Sequence, residues 1–67
     1  MNADRVEVSW DSSKSKWLVR IESGDEVIRR RCDLPNSADE QKIRTAAQKT
    51  VQEEGYQFDA ARIAISR

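Results

Sequence analysis

Apolar and polar side chains alternate along the first third of the chain, in two runs separated by a polar loop at residues 11–16. A period of two, with β-branched and aromatic residues on one side, is typical of a strand that buries one face. The apolar positions of the two runs are Val6, Val8 and Trp10, then Trp17, Val19 and Ile21. The pattern therefore predicts two strands.

A third strand is predicted over residues 26–32, after a turn in which Gly24 can adopt the positive φ that a tight hairpin requires. Three consecutive arginines make its alternation less regular. A two-residue loop directs Arg30 toward the core side of the sheet. We expect its long side chain to extend past the helix toward Glu40, Glu54 or solvent. A β-bulge that redirects Arg30 is the alternative.

The predicted register satisfies both faces of the sheet at once. On one face it sets apolar residues opposite each other, including Trp10 opposite Trp17. On the other face it sets opposite charges across from each other, and such pairs each stabilise a sheet by about 0.2–1 kcal/mol. These pairs are Glu7 with Arg20 and Arg5 with Glu22. The agreement favours a three-stranded antiparallel meander.

A helix is predicted from Ser37 to about Glu54. Ser37 and Glu40 have the spacing of a capping box, in which each side chain binds the backbone N–H of the other residue. Gly55 suits the left-handed residue of a Schellman ending, and Tyr56 would then pack on the last helical turn. Apolar or small residues recur at helical spacing and face the sheet. They are Ile43, Ala46, Ala47, Thr50 and Val51.

A short fourth strand is predicted over residues 61–66, where Ile63 and Ile65 alternate. The helix returns the chain to the other end of the sheet, so this strand should run parallel to strands one and three. The sequence leaves open which of those two it joins. Residues 1–67 are thus predicted to form one small α+β domain of order β-β-β-α-β, a meander with one amphipathic helix on one face.

Length and charge limit the functions that this chain could have. A chain of 67 residues has no room for a deep enclosed site, so function would lie on an open face, a groove or a loop. Lys plus Arg number 12, and so do Asp plus Glu, so the chain lacks the excess of positive charge that is typical of a nucleic-acid binder. No stretch approaches the roughly 18 apolar residues of a membrane span. A single cysteine, Cys32, favours a reducing cytoplasm.

Motifs for catalysis and for cofactors are missing as well. The chain has no histidine, and Cys32 has no base near it in the pattern, so we interpret Cys32 as a small buried hydrophobe. No Cys/His cluster supports zinc, and two isolated glycines do not make a phosphate-binding loop. The sequence therefore predicts no catalytic, cofactor-binding or metal-binding residue, and a chain that is not an enzyme.

The candidate binding surface is the sheet face turned away from the helix, which combines surplus arginine with two apolar side chains. The candidate residues are Leu18, Arg20, Val27, Arg29 and Arg31. Arginines on an edge strand also blunt that edge against aggregation, and we favour this structural role for residues 29–31. Trp10 and Trp17 are interpreted as core rather than as a stacking platform for a ligand.

Two functions are compatible with such a surface. A protein-interaction module, with an unknown protein or a second copy as partner, is favoured because sheet edges dimerise or receive peptide strands. A nucleic-acid-binding module is the alternative. The segments 17–21 and 27–31, joined through Gly24, resemble in outline the arm-binding domains of tyrosine recombinases and the AP2-type plant DNA-binding domains. That resemblance implies DNA contact through the arginine-bearing face, but zero net charge departs from the pattern.

Overall fold

The computed structural model describes residues 2–66 and shows a four-stranded sheet with one helix packed against one face. The strand order is β3-β2-β1-β4. The elements are β1 (Arg5–Asp11), β2 (Lys16–Ser23), β3 (Glu26–Cys32), the helix α1 (Glu40–Glu53), a 3₁₀ turn (Ala60–Arg62) and β4 (Ala64–Ser66). The predicted α+β fold, with an antiparallel meander and a short fourth strand, is confirmed.

The predicted register is also confirmed, with Trp10 opposite Trp17, Ile21 opposite Ile28 and Arg20 opposite Arg29. Pairing is continuous along β3, so no bulge redirects Arg30. Gly24 has φ of +58° in the two-residue loop between β2 and β3.

The charged face differs from the sequence-based expectation in one respect. Arg5 and Glu22 lie opposite each other, as do Glu7 and Arg20, but these four residues form their ion pairs along the strands instead of across them. Nε of Arg5 lies 3.1 Å from Glu7, and Nε of Arg20 lies 4.0 Å from Glu22. Residues two apart on a strand share a face and are about 7 Å apart, a span that these long side chains bridge.

The fourth strand joins β1 in parallel, which decides between the two neighbours that the sequence left open. It is shorter than the predicted 61–66. Residues Ala60–Arg62 form a 3₁₀ turn because the Asp59 carboxylate accepts a hydrogen bond from the backbone N–H of Ala61 at 3.0 Å. Ile63 is buried, and Ile65 is half-buried against the core.

The predicted capping box at the start of the helix is wrong. Asp39 is the N-cap, and its carboxylate accepts a hydrogen bond from the backbone N–H of Lys42 at 2.8 Å. Ser37 lies in the preceding turn, where the N–H of Ala38 donates to the carbonyl of Pro35. The Glu40 carboxylate binds the Arg44 guanidinium one turn on, at 2.6 Å, instead of reaching back. The two sequence positions compete as caps, and Asp39 has the extended backbone, φ −73° and ψ 160°, that a cap requires.

We expect Asp39→Ala to lower the free energy of unfolding by about 1 kcal/mol, because it removes the acceptor for an otherwise unpaired N–H in the first turn. Ser37→Ala should leave the free energy of unfolding nearly unchanged. Urea denaturation of both variants, followed by circular dichroism, measures the difference. A loss for Ser37→Ala equal to that for Asp39→Ala would show that the capping box forms in solution.

The end of the helix follows the prediction. Gly55 has φ of +87°, the N–H of Tyr56 donates to the carbonyl of Val51 at 3.1 Å, and that of Gly55 donates to Gln52. These are the two bonds of a Schellman motif. Tyr56 is buried, and its hydroxyl lies 3.2 Å from the Glu26 carboxylate. Burial, aided by this hydrogen bond, raises the pKa of Tyr56 above its usual 10.0.

The core lies between the helix and the inner face of the sheet. Trp17 is fully buried, and its indole N–H donates to the carbonyl of Pro35 at 3.0 Å. Trp10 packs edge-on against it with ring centroids 5.5 Å apart, which confirms the core interpretation of this pair. Cys32 is half-buried, with Sγ 3.6 Å from Oγ1 of Thr50. The largest fully buried side chains are Trp17, Ile21, Ile43, Val6, Val8, Val19 and Val51.

Candidate binding edge of the sheet

Strand β3 ends the sheet on one side, and no described residue pairs with its outer edge. We call this the β3 edge, residues Glu26–Cys32. Five of its seven residues are exposed, and only Ile28 and Cys32 are half-buried. The opposite end of the sheet is β4, which has three residues. The β3 edge is therefore the longer of the two open edges.

The hairpin register determines which backbone groups of β3 point outward. Ser23 and Glu26 close the two-residue loop, and such a pair exchanges both backbone hydrogen bonds. Bonded and non-bonded pairs then alternate along an antiparallel ladder. Val27, Arg29 and Arg31 consequently direct their N–H and C=O groups away from β2, toward solvent. These groups are positioned to receive another strand.

The two apolar candidates of the open face lie on separate rows of the sheet. Val27 is 40% exposed and lies opposite Glu22, whereas Leu18 is half-buried and lies opposite Arg31. The row that joins Arg20 and Arg29 lies between them. The structure thus places all five candidates on one face but does not bring Leu18 and Val27 into one apolar patch.

Most arginines of this face have carboxylate partners. Nε of Arg31 lies 3.5 Å from Asp11, which is a residue of β1 rather than of the loop to which the sequence assigned it. A 2.7 Å hydrogen bond from the Ser13 hydroxyl lowers the pKa of Asp11 below its usual 3.8, and backbone N–H groups and Arg31 add to this. Within residues 2–66, Arg29 is the one arginine of this face without an ion pair.

Arg20 lies at the centre of this face, opposite Glu7 on one side and Arg29 on the other. Its Nε atom is buried and makes no hydrogen bond to any described residue, with the Glu22 carboxylate 4.0 Å away. Its side chain as a whole is nevertheless 43% exposed. Arg29 is exposed as well, so solvent screens the repulsion between the like charges of Arg20 and Arg29.

Arg30 follows the sequence-based expectation, since its guanidinium passes the rim of the helix and binds Glu54. Nε and Nη2 of Arg30 lie 3.3 and 3.0 Å from the two carboxylate oxygens of Glu54. In addition, Nη1 donates to the backbone carbonyl of Arg29 at 2.9 Å. That carbonyl is one of the outward-facing groups of the β3 edge. Arg30 therefore covers part of the edge in the free protein.

Other kinds of site find no support in the part of the chain that is described. Residues 2–66 contain no group of three or more histidine, cysteine or acidic residues arranged to hold a metal ion. Over the same range, no helix combines the length and the apolar character needed to cross a membrane. Sequence reasoning named sheet edges as a binding feature without assigning the role to one strand. In the structure, the backbone groups of the β3 edge are the feature with a defined binding geometry.

Comparisons with known proteins find no relative of this chain. No protein-family model matches the chain, and neither a curated protein nor a solved structure matches it. The outline resemblance to recombinase and AP2-type DNA-binding domains therefore gains nothing from them. The geometry of the β3 edge remains the basis for a functional proposal.

Proposed function

We propose that this chain is a small non-enzymatic interaction module that binds an extended strand of a protein partner along its β3 edge. The observation that carries the proposal is the row of outward backbone groups at Val27, Arg29 and Arg31 on an exposed, seven-residue edge strand. Adding a strand to such an edge satisfies the backbone of both chains, while side chains on alternate positions provide specificity. The single cysteine is compatible with work in a reducing cytoplasm.

The charges favour a protein over a nucleic acid as the partner. Phosphate binding requires arginines that are free to neutralise it, but three of the four arginines on the open face are ion-paired, with a carboxylate within 4.0 Å of each. Those carboxylates would also repel a phosphate backbone. A peptide strand is attracted by the backbone groups of the edge and does not require the arginines to be released. The net charge of zero is compatible with this partner.

Val27→Pro tests strand addition, because the Val27 N–H points outward and its loss removes no bond to β2. Short random peptides would first be selected by display on the immobilised wild-type chain. We expect the selected peptides to shift the NMR signals of Val27, Arg29 and Arg31 most strongly. Val27→Pro should weaken their binding by about tenfold or more, because it removes one bond and obstructs the edge.

Val27→Thr is the matched control, since it keeps the N–H and the β-branched shape while removing apolar character. It should bind the same peptides within about twofold of wild type. Peptides that bind Val27→Pro as tightly as wild type would contradict the proposal. Binding of DNA or RNA at low salt that both variants retain would also contradict it, because the open-face arginines are intact in both.

A further inference from the structure

We propose that the partner of the β3 edge is a second copy of this chain. Two β3 strands would pair antiparallel about a two-fold axis through Ile28, which joins two four-stranded sheets into one. This inference rests on the proposed function, and it adds the identity of the partner and the register of pairing.

The alternation of backbone groups permits this register. With Ile28 on the axis, Val27 of one copy lies opposite Arg29 of the other. Both residues direct their backbone groups outward, so they form a bonded pair across the new interface. Ile28 lies opposite itself as a non-bonded pair, in which side chains approach more closely. Ile28 is half-buried and packs against the core, so the new contact would extend an existing apolar cluster.

The charges of the edge are complementary in this register. Glu26 of one copy lies opposite Arg30 of the other, and Asp25 lies opposite Arg31. The two-fold axis repeats each pair, so the interface contains four pairs of opposite charge and no pair of like charge. Directly opposed charges of opposite sign stabilise an antiparallel pair, and like charges destabilise it.

Neighbouring two-fold registers have fewer pairs of opposite charge. An axis through Arg29 sets Arg29 opposite itself. An axis through Arg30 sets Arg30 opposite itself and Arg29 opposite Arg31. An axis through Val27 sets Arg29 opposite Asp25, but it also sets Ile28 opposite Glu26 and leaves the end of the strand unpaired. The arginines of β3 therefore do more than discourage pairing in general, because they disfavour the registers centred on Arg29 and on Arg30. Such selection by repulsion is how interfaces become specific.

Arg30 connects the free and the paired states. In the free chain its Nη1 donates to the carbonyl of Arg29, and its other nitrogens bind Glu54. In the pair, that carbonyl accepts from the Val27 N–H of the second copy, and the Arg30 guanidinium turns to Glu26 of that copy. The arginine thus covers the edge until a strand with an acid at the matching position replaces it.

The arrangement also closes on itself. A two-fold contact uses the β3 edge of both copies, so no β3 edge is left for further addition. The outer edges of the joined sheet are then two copies of β4, with three residues each. Short edge strands of this kind resist further pairing. The expected assembly is a dimer and not a fibre.

Disulfide trapping tests the register in the full chain, with Cys32→Ala as background. In an Ile28→Cys variant, the two introduced cysteines lie opposite each other with Cα atoms about 4.5 Å apart, within reach of a disulfide. In an Arg30→Cys variant they are four residues out of register, about 13 Å apart. With oxidised glutathione present, we expect Ile28→Cys to form covalent dimers about tenfold faster than Arg30→Cys.

Sedimentation equilibrium of the unmodified chain tests association itself. One pair of edges makes a contact smaller than a standard interface, so we expect dissociation between about 10 µM and about 1 mM. The average mass should rise across that range from 7.7 kDa toward twice that value. Val27→Pro should remain at the lower mass, and Val27→Thr should behave like wild type.

The outcomes separate the two proposals. A chain that remains monomeric at the highest concentration, yet still binds selected peptides through β3, overturns self-pairing and leaves strand addition intact. Equal cross-linking rates for Ile28→Cys and Arg30→Cys overturn the proposed register. A monomer that binds no peptide overturns both proposals. Faster trapping of Ile28→Cys, together with a mass increase that Val27→Pro abolishes, supports self-pairing in this register.

Discussion

Trp17→Ala should leave the domain largely unfolded at room temperature. Trp17 is fully buried at the centre of the core, and truncating a large buried aromatic costs about 3–5 kcal/mol. A single core in a domain of this length rarely supplies more than about 3–5 kcal/mol of net stability. The loss therefore removes most of the free energy of unfolding. Urea denaturation monitored by circular dichroism measures the free energy of unfolding. A variant that shows no folded baseline even at the lowest urea concentrations meets the expectation.

The other tryptophan supplies a control that shares the chemistry but not the burial. Trp10 lies opposite Trp17 and is only half-buried, so Trp10→Ala should cost less than half as much. Trp17→Phe separates packing from hydrogen bonding. It keeps a buried ring but removes the 3.0 Å bond to the Pro35 carbonyl, and it should cost about 1–3 kcal/mol. Equal losses for the two alanine variants would contradict the deeper burial of Trp17 in the core.

The sheet could be predicted from the sequence to the level of individual residue pairs. Val8 faces Val19 and Ile21 faces Ile28 because a shift by one residue would turn every buried side chain to solvent. Loop lengths then allow few other registers. The parallel direction of β4 followed from topology, but its neighbour did not, because Ile63 and Ile65 suit either side of the sheet.

The helix start shows why local motifs are less certain. Ser37 and Asp39 both satisfy the chemistry of an N-cap, and tertiary contacts decide between them. The backbone of Pro35 accepts the Trp17 indole N–H and the N–H of Ala38, which fixes a turn at the position that the capping box needed. A contact between residues so far apart in the sequence cannot be predicted from the spacing of capping residues.

The face on which the candidate residues lie was predictable from the sequence, but the ion pairs that those residues form were not. The alternation placed Arg20, Arg29 and Arg31 on one face, yet it could not show that Asp11 and Glu22 neutralise two of them. Ion pairs between flexible side chains depend on rotamers and on neighbouring strands, which a period-two pattern does not contain. The two-residue loop determines which backbone groups of β3 point outward, so this feature can be derived from the predicted register alone.

Ile43→Ala should lower the free energy of unfolding by about 2–5 kcal/mol, because Ile43 is nearly fully buried where the helix meets the sheet. The helix contributes three fully buried residues to the core, and Ile43 is the largest of them. Thr45→Ala is the matched control on the exposed side of the same helix. It should be neutral or slightly stabilising, since alanine has the higher helix propensity.

The same variant shows whether helix and sheet form one cooperative unit. An isolated 14-residue helix is only marginally stable in water. A three-stranded meander also loses stability when the helix no longer covers its apolar face. Helix and sheet should therefore unfold together in Ile43→Ala as in wild type. Circular dichroism at the helical band and tryptophan fluorescence should then give coincident transitions at a lower urea concentration. Separate transitions would mean that the meander, and the β3 edge with it, persists without the helix.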